Sequence, residues 1–175
     1  IDSHMRFEPG WDQALIDMLA RSPGARPLLS TYLPNYEPPD QRDYPKNHLL
    51  RIRVRKFGEG VDPQLIHITG QFVPISESER MGLYPSPFIA ANFMFARASV
   101  FHDIPIDPHF HFYGDEISYS ARLWTHGVDV FQPDRVVMFH YWVRKPTMHL
   151  QHYRNTRTRS SMRSACRTGG RRCRR

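Results

Sequence analysis

The chain has 175 residues, of which 40% are hydrophobic and 13% aromatic, which suits one globular domain with an apolar core. Its formal charge of +7 derives from residues 154–175, which hold nine arginines and no acid, so residues 1–153 hold 15 Lys+Arg and 17 Asp+Glu, a charge of −2. A body of that charge argues against nucleic acid or another polyanion as its partner.

Targeting signals and disulfides are absent from the sequence pattern. No apolar run approaches the roughly 20 residues of a membrane-spanning helix, and no signal peptide is recognisable. Cys166 and Cys173 both lie in the Arg-rich segment, which leaves residues 1–153 without a disulfide framework. This pattern favours a reducing compartment and predicts a cytoplasmic protein. Because the chain opens on Ile1 without an initiator Met, we expect a fragment.

The first third of the chain predicts a helix, a strand and a loop. Trp11 to Arg21 places Leu15, Met18 and Leu19 on one face at helical spacing, before the turn signal Ser22-Pro23-Gly24. An apolar run from Pro27 to Leu33 predicts a buried strand. Residues 34–47 predict a long loop.

Two strands are predicted next. Leu50 to Phe57 alternates apolar side chains with Arg51, Arg53 and Arg55, which predicts a strand with a basic outer face. Residues 65–73 predict a second strand. Small residues at 90 and 91 then mark the segment 88–95.

Helices and strands alternate in the remainder. Residues 100–107 predict a short helical turn and a loop. A helix is predicted to begin at Gly114-Asp115-Glu116 and to stop at Gly127, with an apolar side formed by Ile117, Ala121 and Trp124. Residues 128–131 and 136–143 predict strands, so the fold class is α/β. We therefore predict a domain over residues 1–153 and a disordered Arg-rich tail over residues 154–175.

Asp2-Ser3-His4 is the first candidate site. A carboxylate and an imidazole at positions i and i+2 of an extended segment project to the same side. Together they can bind a borderline divalent metal such as Mn²⁺. A solvent-exposed polar turn is the alternative explanation.

Two later segments are further candidates. The carboxylates of Asp115 and Glu116, after Gly114, could bind a sugar hydroxyl or polarise a reacting group, although acids at a helix start also serve as caps. His140 follows an apolar strand and is either a metal ligand or a core residue.

The order of these segments resembles a known family. The chain is similar to the cytosolic glycosyltransferases that add α-linked N-acetylglucosamine to hydroxyproline on a ubiquitin-ligase adaptor protein. More distantly, Ser86-Pro87-Phe88-Ile89-Ala90 resembles a Ser-Pro-x-x-Ala segment of the polypeptide N-acetylgalactosaminyltransferases. The segments that carry the resemblance are Asp2-Ser3-His4, Gly10-Trp11-Asp12, Leu29-Ser30-Thr31-Tyr32, Gly114-Asp115-Glu116 and Phe139-His140-Tyr141.

The resemblance implies a type-A glycosyltransferase fold, of which this chain holds the metal- and acceptor-site portion without the N-terminal strands. It also implies a UDP-sugar donor, Mn²⁺ or a similar metal, and retention of anomeric configuration. The matching residues fall into three groups: Asp2, His4 and His140 at the metal; Glu116 and Asp115 at the acceptor and transferred sugar; and Ala90, Ala91, Asn92 and Gly114 at the substrate. Trp124 is expected to pack behind this site.

Three alternatives stay open on the sequence. The chain could be a transferase for another sugar, such as galactose. It could be a non-catalytic α/β fragment or binding protein that keeps the motifs. The least favoured alternative is a nucleic-acid binder that acts through residues 154–175.

Overall fold

The computed structural model describes residues 4–42, 44–57, 66–75, 82–109 and 114–142. The described residues up to Tyr141 belong to one compact unit, and Trp142 falls outside that unit. The predicted tail over residues 154–175 lies outside the described residues. In the ranges given, no helix is both long and apolar enough to span a membrane.

The described elements are a mixture of helices and strands, which fits the predicted α/β class, although five strands follow one another between the first and second helices and do not alternate with helices. The helices are α1 Trp11–Arg21, α2 Ala98–Asp103 and α3 Asp115–Thr125. The strands are β1 Met5–Phe7, β2 Pro27–Ser30, β3 His48–Phe57, β4 Ile66–Pro74, β5 Tyr84–Pro85, β6 Met94–Ala96, β7 Asp129–Gln132 and β8 Met138–His140.

A mixed four-stranded sheet in the order β5-β7-β2-β6 forms the centre of the unit. β2 runs parallel to β7 and antiparallel to β6, while β5 pairs antiparallel with β7. β1 and β8 form one two-stranded sheet, and β3 and β4 form another. The pairing of β1 with β8 brings together residues separated by most of the chain.

Successive side chains of the central strands enter two different core clusters. Leu29 of β2 and Phe131 of β7 pack with Leu15 and Met18 of α1. Their neighbours Leu28 and Val130 pack in the other cluster, with α2 and α3. This alternation is the period of two that a strand imposes on its side chains. The central sheet therefore has α1 on one face and α2 with α3 on the other.

The predicted apolar side of α3 is wrong. Its buried residues are Tyr119, Ser120 and Leu123, whereas the side chain of Trp124 is 72% exposed. Ala121 is exposed too. The reason is that Tyr119 and Leu123 share a face at i and i+4, and this face packs against the central sheet. Trp124 consequently does not pack behind the candidate site.

The predicted basic outer face of β3 is wrong at Arg51, which is only 5% exposed. The guanidinium groups of Arg51 and Arg53 lie over the Tyr84 ring, 4.8 and 5.6 Å from its centre. Tyr84, the first residue of β5, thus covers part of the strand face that alternation alone assigns to solvent. Arg55 is exposed, as predicted.

Strand β2 is shorter than predicted, since it ends at Ser30 rather than Leu33. The next two side chains bind other parts of the chain. The Thr31 hydroxyl donates to the Leu50 carbonyl at 2.6 Å, and the Tyr32 hydroxyl donates to the Glu116 carboxylate at 2.8 Å. The predicted strand over residues 136–143 is confirmed over Met138–His140, and residue 143 lies outside the described residues.

Candidate active site

Two histidines face each other where β1 and β8 pair. His140 is the last residue of β8 and pairs with Met5, the first residue of β1. His4 immediately precedes Met5 and therefore lies beside His140. The Tyr141 amide donates to the His4 carbonyl at 3.1 Å and holds the two chain segments together. The Nε2 atoms of His4 and His140 lie 2.7 Å apart, with ring centres separated by 4.6 Å.

This pair of imidazoles suits a divalent metal in its donor chemistry, because imidazole nitrogen binds borderline metals. The two Nε2 atoms are in hydrogen-bond contact, so a metal would have to replace the proton that they share. No group of three or more His, Cys, Asp or Glu side chains converges among the described residues. Asp2, the third predicted ligand, lies outside those residues. The structure therefore brings His4 and His140 together, and the role of Asp2 as a metal ligand stays a prediction.

A turn over residues 89–93 is held by side chains from two other elements. Three consecutive amides donate to three side-chain oxygens: Ile89 to Ser120 Oγ at 3.0 Å, Ala90 to Ser30 Oγ at 2.8 Å and Ala91 to Glu116 Oε1 at 2.7 Å. Buried backbone amides need such acceptors where no sheet or helix supplies them. The conformation of this turn therefore depends on β2 and α3.

The Ser30 side chain links Ala90 and Phe93 of the turn through hydrogen bonds. Its hydroxyl accepts from the Ala90 amide and donates to the Phe93 carbonyl at 2.7 Å. The Phe93 amide in turn donates to the Ala90 carbonyl at 3.0 Å. Ala90 is 0% exposed, whereas Ala91 is exposed and Asn92 partly so. Within this turn, only Ala91 and Asn92 reach the surface.

Glu116 lies in the first turn of α3, after Gly114. Gly114 has φ of 87°, in the left-handed region that favours glycine, and this conformation starts the helix beside the turn. Asp115 Oδ1 accepts from the Glu116 amide at 2.7 Å. Both Glu116 carboxylate oxygens are bound, Oε1 by the Ala91 amide and Oε2 by the Tyr32 hydroxyl.

Burial dominates the electrostatics of this carboxylate. Desolvation raises the pKa of Glu116, the hydrogen bonds from Ala91 and Tyr32 lower it, and the charge of Asp115 raises it, with a net shift above the ordinary value. Desolvation and the neighbouring Glu116 charge also raise the pKa of Tyr32. The phenol is therefore a hydrogen-bond donor throughout the neutral range.

Adjacent residues of the turn connect the carboxylate to the histidine pair. Ala91 binds Glu116 through its amide, and the Asn92 Nδ2 atom lies 3.4 Å from Nδ1 of His140. One short turn thus contacts both groups that the sequence singles out as chemically active.

A family model described as Glycosyltransferase (GlcNAc) matches residues 1–170 of the chain. The chain belongs to this glycosyltransferase family. The match confirms the prediction that the chain is a member of a glycosyltransferase family. It also agrees with the mixed α/β architecture. Searches among curated proteins and among solved structures found no match.

Because the chain belongs to a glycosyltransferase family, the arrangement of the predicted residues bears on glycosyl transfer. His4, His140, Glu116, Ala91 and Asn92 lie along one connected set of contacts. Gly114 and Asp115 adjoin Glu116 at the start of α3, and Ala90 lies beneath the turn. Their roles toward metal, donor and acceptor stay predictions.

Three residues of the site have no role in the sequence prediction: Ser30, Tyr32 and Ser120. Ser30 and Tyr32 appear only within a segment that carries the resemblance. Each joins residues far apart in sequence, since 84 positions separate Tyr32 from Glu116 and 60 separate Ser30 from Ala90. A polar residue inside an otherwise apolar element, such as Ser30 after Leu28-Leu29, is the signal that could have indicated a buried hydrogen bond.

Proposed function

We propose that the protein transfers N-acetylglucosamine from a UDP-sugar to a hydroxyl group of a protein acceptor, with retention of anomeric configuration. The observation that carries the proposal is the turn over residues 89–93, which contacts both the His4–His140 pair and Glu116. In a member of a glycosyltransferase family, such a turn can place a sugar between a metal-binding pair and a carboxylate.

His4 and His140, with Asp2, would hold Mn²⁺ or a similar divalent ion. When bound, the metal supplies positive charge that stabilises the departing nucleoside diphosphate. In the metal-bound protein both imidazoles would bind the ion through Nε2, and the β1–β8 pairing holds their backbone segments side by side for that task.

Glu116, with Asp115 beside it, would bind hydroxyl groups of the transferred sugar or the acceptor. Each oxygen of Glu116 already accepts one hydrogen bond, so the carboxylate has a fixed orientation and keeps further lone pairs for a substrate. Gly114 and the exposed half of the turn, Ala91 and Asn92, would face the sugar. Ala90 would act through the shape of the turn, because it is buried.

These hydrogen bonds favour a front-face transfer over a double displacement. In a double displacement a carboxylate must attack the anomeric carbon, but the donors on Glu116 stabilise its negative charge and restrict its movement. In the front-face route the acceptor oxygen bonds to the anomeric carbon while the bond from that carbon to the diphosphate oxygen breaks. The acceptor proton passes to the departing diphosphate oxygen.

The first test is calorimetric titration of the 175-residue chain with uridine diphosphate, with and without Mn²⁺. We expect binding that strengthens with Mn²⁺ and that His140→Ala abolishes the strengthening. His102→Ala is the matched control, since the His102 side chain is 90% exposed. Equal binding with and without Mn²⁺ would contradict the metal assignment.

Donor and acceptor are tested separately. UDP release is measured with the UDP forms of N-acetylglucosamine, N-acetylgalactosamine, galactose and glucose, and we expect the first to react fastest. Transfer is then measured to matched peptides that contain hydroxyproline or proline. A faster rate with UDP-galactose would replace the proposed donor, and equal labelling of the two peptides would exclude hydroxyproline as the acceptor.

We also propose a cytoplasmic location, which is supported by the absence of cysteine from residues 1–153. Subcellular fractionation of cells that express the protein tests it, with recovery in the cytosolic fraction as the expected result. Recovery in a secretory fraction would contradict it.

A further inference from the structure

The side-chain amide of Asn92 contacts a histidine ring on one side and is unsatisfied on the other. Its Nδ2 atom lies 3.4 Å from Nδ1 of His140. Its Oδ1 atom is buried and has no hydrogen-bond partner among the described residues. Buried side-chain oxygens without a partner are uncommon and costly in native proteins.

The orientation of this amide is coupled to the proton on His140. A neutral imidazole carries one N–H, so if Nδ1 accepts from Asn92 Nδ2, the proton lies on Nε2. That proton blocks the lone pair that faces His4 Nε2, 2.7 Å away. In the opposite tautomer Nδ1 carries the proton and needs an acceptor, while Nε2 is unprotonated and can bind a metal.

We propose that Asn92 is a positioning residue for His140, and that in the metal-bound protein its Oδ1 accepts a hydrogen bond from Nδ1–H. This inference rests on the metal site of the proposed function. A half-turn of the amide group exchanges Oδ1 and Nδ2 without changing the shape of the side chain. The exchange gives the buried Oδ1 a donor and leaves Nε2 of His140 unprotonated.

The inference gives Asn92 a different task from the sugar contact that the sequence resemblance implies. A histidine that binds a metal through one nitrogen usually donates its other N–H to a nearby acceptor, and loss of that acceptor lowers metal affinity 10–100-fold. Asn92 is suited to this because its neighbour Ala91 is fixed by Glu116, which anchors the backbone beside it.

The test uses Mn²⁺ alone, titrated into the full chain and followed by the electron paramagnetic resonance signal of the free ion. Asn92→Asp keeps an acceptor of the same shape, whereas Asn92→Leu removes it at similar volume. We expect Asn92→Asp to bind Mn²⁺ at least as tightly as the wild type and Asn92→Leu to bind it about 10–100-fold more weakly. Gln13→Leu, at an exposed amide on α1, is the matched control and should not change the affinity.

A purely structural role for Asn92 predicts the reverse order, because leucine would then be tolerated better than a buried charge. Circular dichroism establishes that each variant is folded, and Asn92→Ala replaces Asn92→Leu if leucine prevents folding. ¹⁵N spectra of the Zn²⁺-loaded protein report the tautomer, with His140 protonated on Nδ1 in the wild type and in Asn92→Asp.

The outcomes separate the two proposals. If the wild type binds no divalent metal, the metal part of the proposed function fails and this inference fails with it. If the wild type binds Mn²⁺ and the variant without an acceptor binds it equally well, the inference about Asn92 fails alone. A wild-type His140 protonated on Nε2 in the loaded protein would also overturn it.

Discussion

The hydroxyl of Tyr32 donates to Glu116 Oε2 across 2.8 Å and joins the segment after β2 to the first turn of α3. The opposite oxygen of the carboxylate accepts from the Ala91 amide at 2.7 Å. Glu116 is thereby fixed between the end of a central strand and the turn that reaches His140. The orientation of the carboxylate depends on tertiary contacts as well as on its place in the helix.

Removal of the Tyr32 hydroxyl should destabilise the fold. Hydrogen bonds to charged groups contribute about 1.5–3 kcal/mol, against about 0.5–1.5 kcal/mol for neutral pairs. We therefore expect Tyr32→Phe to lower the free energy of unfolding at pH 7 by about 1.5–3 kcal/mol, measured by urea denaturation. We also expect slower UDP release from the sugar donor, because the carboxylate loses its fixed orientation.

Tyr119→Phe is the matched comparison for this change. The Tyr119 hydroxyl donates at 2.7 Å to a neutral acceptor, the Ile104 carbonyl, rather than to a predicted site residue. Its loss should cost less stability than that of Tyr32 and should leave UDP release unchanged. An equal or larger loss of unfolding free energy in Tyr119→Phe would show that the hydrogen bond from Tyr32 to Glu116 contributes no more than a neutral one.

The pH dependence of stability should contain a contribution from Glu116. Burial raises its pKa above the ordinary 4.5, so the folded chain retains this proton over a pH range in which the unfolded chain has lost it. Stability from this group is complete below pH 4.5 and falls as pH rises through the raised pKa. Glu116→Gln removes the titration, so the wild type should lose stability relative to the variant as pH rises over that window.

Urea unfolding of both proteins between about pH 4 and pH 8 checks this, since that range spans the ordinary glutamate pKa and the expected rise. Glu37→Gln, at an exposed glutamate, controls for the loss of one charge elsewhere on the unit. A constant difference between the wild type and Glu116→Gln across the range would contradict the assignment. So would a wild type that gains stability over the variant on going to neutral pH.

Ser30 should be a structural requirement of the site. It is 0% exposed, and its hydroxyl serves both the Ala90 amide and the Phe93 carbonyl. Ser30→Ala leaves a buried amide without its acceptor, which costs about 1–3 kcal/mol. We expect that loss in thermal or urea unfolding, together with weaker Mn²⁺-dependent binding of uridine diphosphate as the turn loosens.

Ser99→Ala, on the exposed side of α2, is the control, and surface changes of this kind usually stay within about 0.5 kcal/mol. If Ser30→Ala proved as mild as Ser99→Ala, the serine would not hold the turn.

Local signals in the sequence predict the boundaries of α1 and α3 well, whereas α2 begins two residues before the predicted helical turn at residue 100. α1 lies between Gly10 and Ser22, and α3 begins after Gly114 and ends before Gly127. All three glycines have positive φ, which most other residues disfavour, so the turns that bound the helices are encoded within a few positions. The family resemblance likewise depends on short segments that can be recognised in isolation.

The contacts that build the site cannot be predicted in this way. The acceptors for Ile89, Ala90 and Ala91 come from residues 31, 60 and 25 positions away, and their hydrogen bonds exist only once β2 and α3 have packed. Helical spacing also leaves two candidate faces on α3, and the apolar residues alone do not decide between them. The buried face is set by packing against the central sheet, which Tyr119 and Leu123 contact in one core cluster.

The choice of face on α3 can be tested by adjacent substitutions. Leu123 is 0% exposed in the core beside α2, whereas the next residue, Trp124, is 72% exposed. Removing a buried leucine side chain costs about 2–5 kcal/mol because it leaves a cavity, while a change at an exposed position typically costs about 0.5 kcal/mol or less. We therefore expect Leu123→Ala to lower the urea midpoint strongly and Trp124→Ser to leave it nearly unchanged, although tryptophan is the larger side chain. A large fall in the urea midpoint of Trp124→Ser would show that the indole packs in the folded chain. A small fall in that of Leu123→Ala would show that the buried face of α3 lies elsewhere.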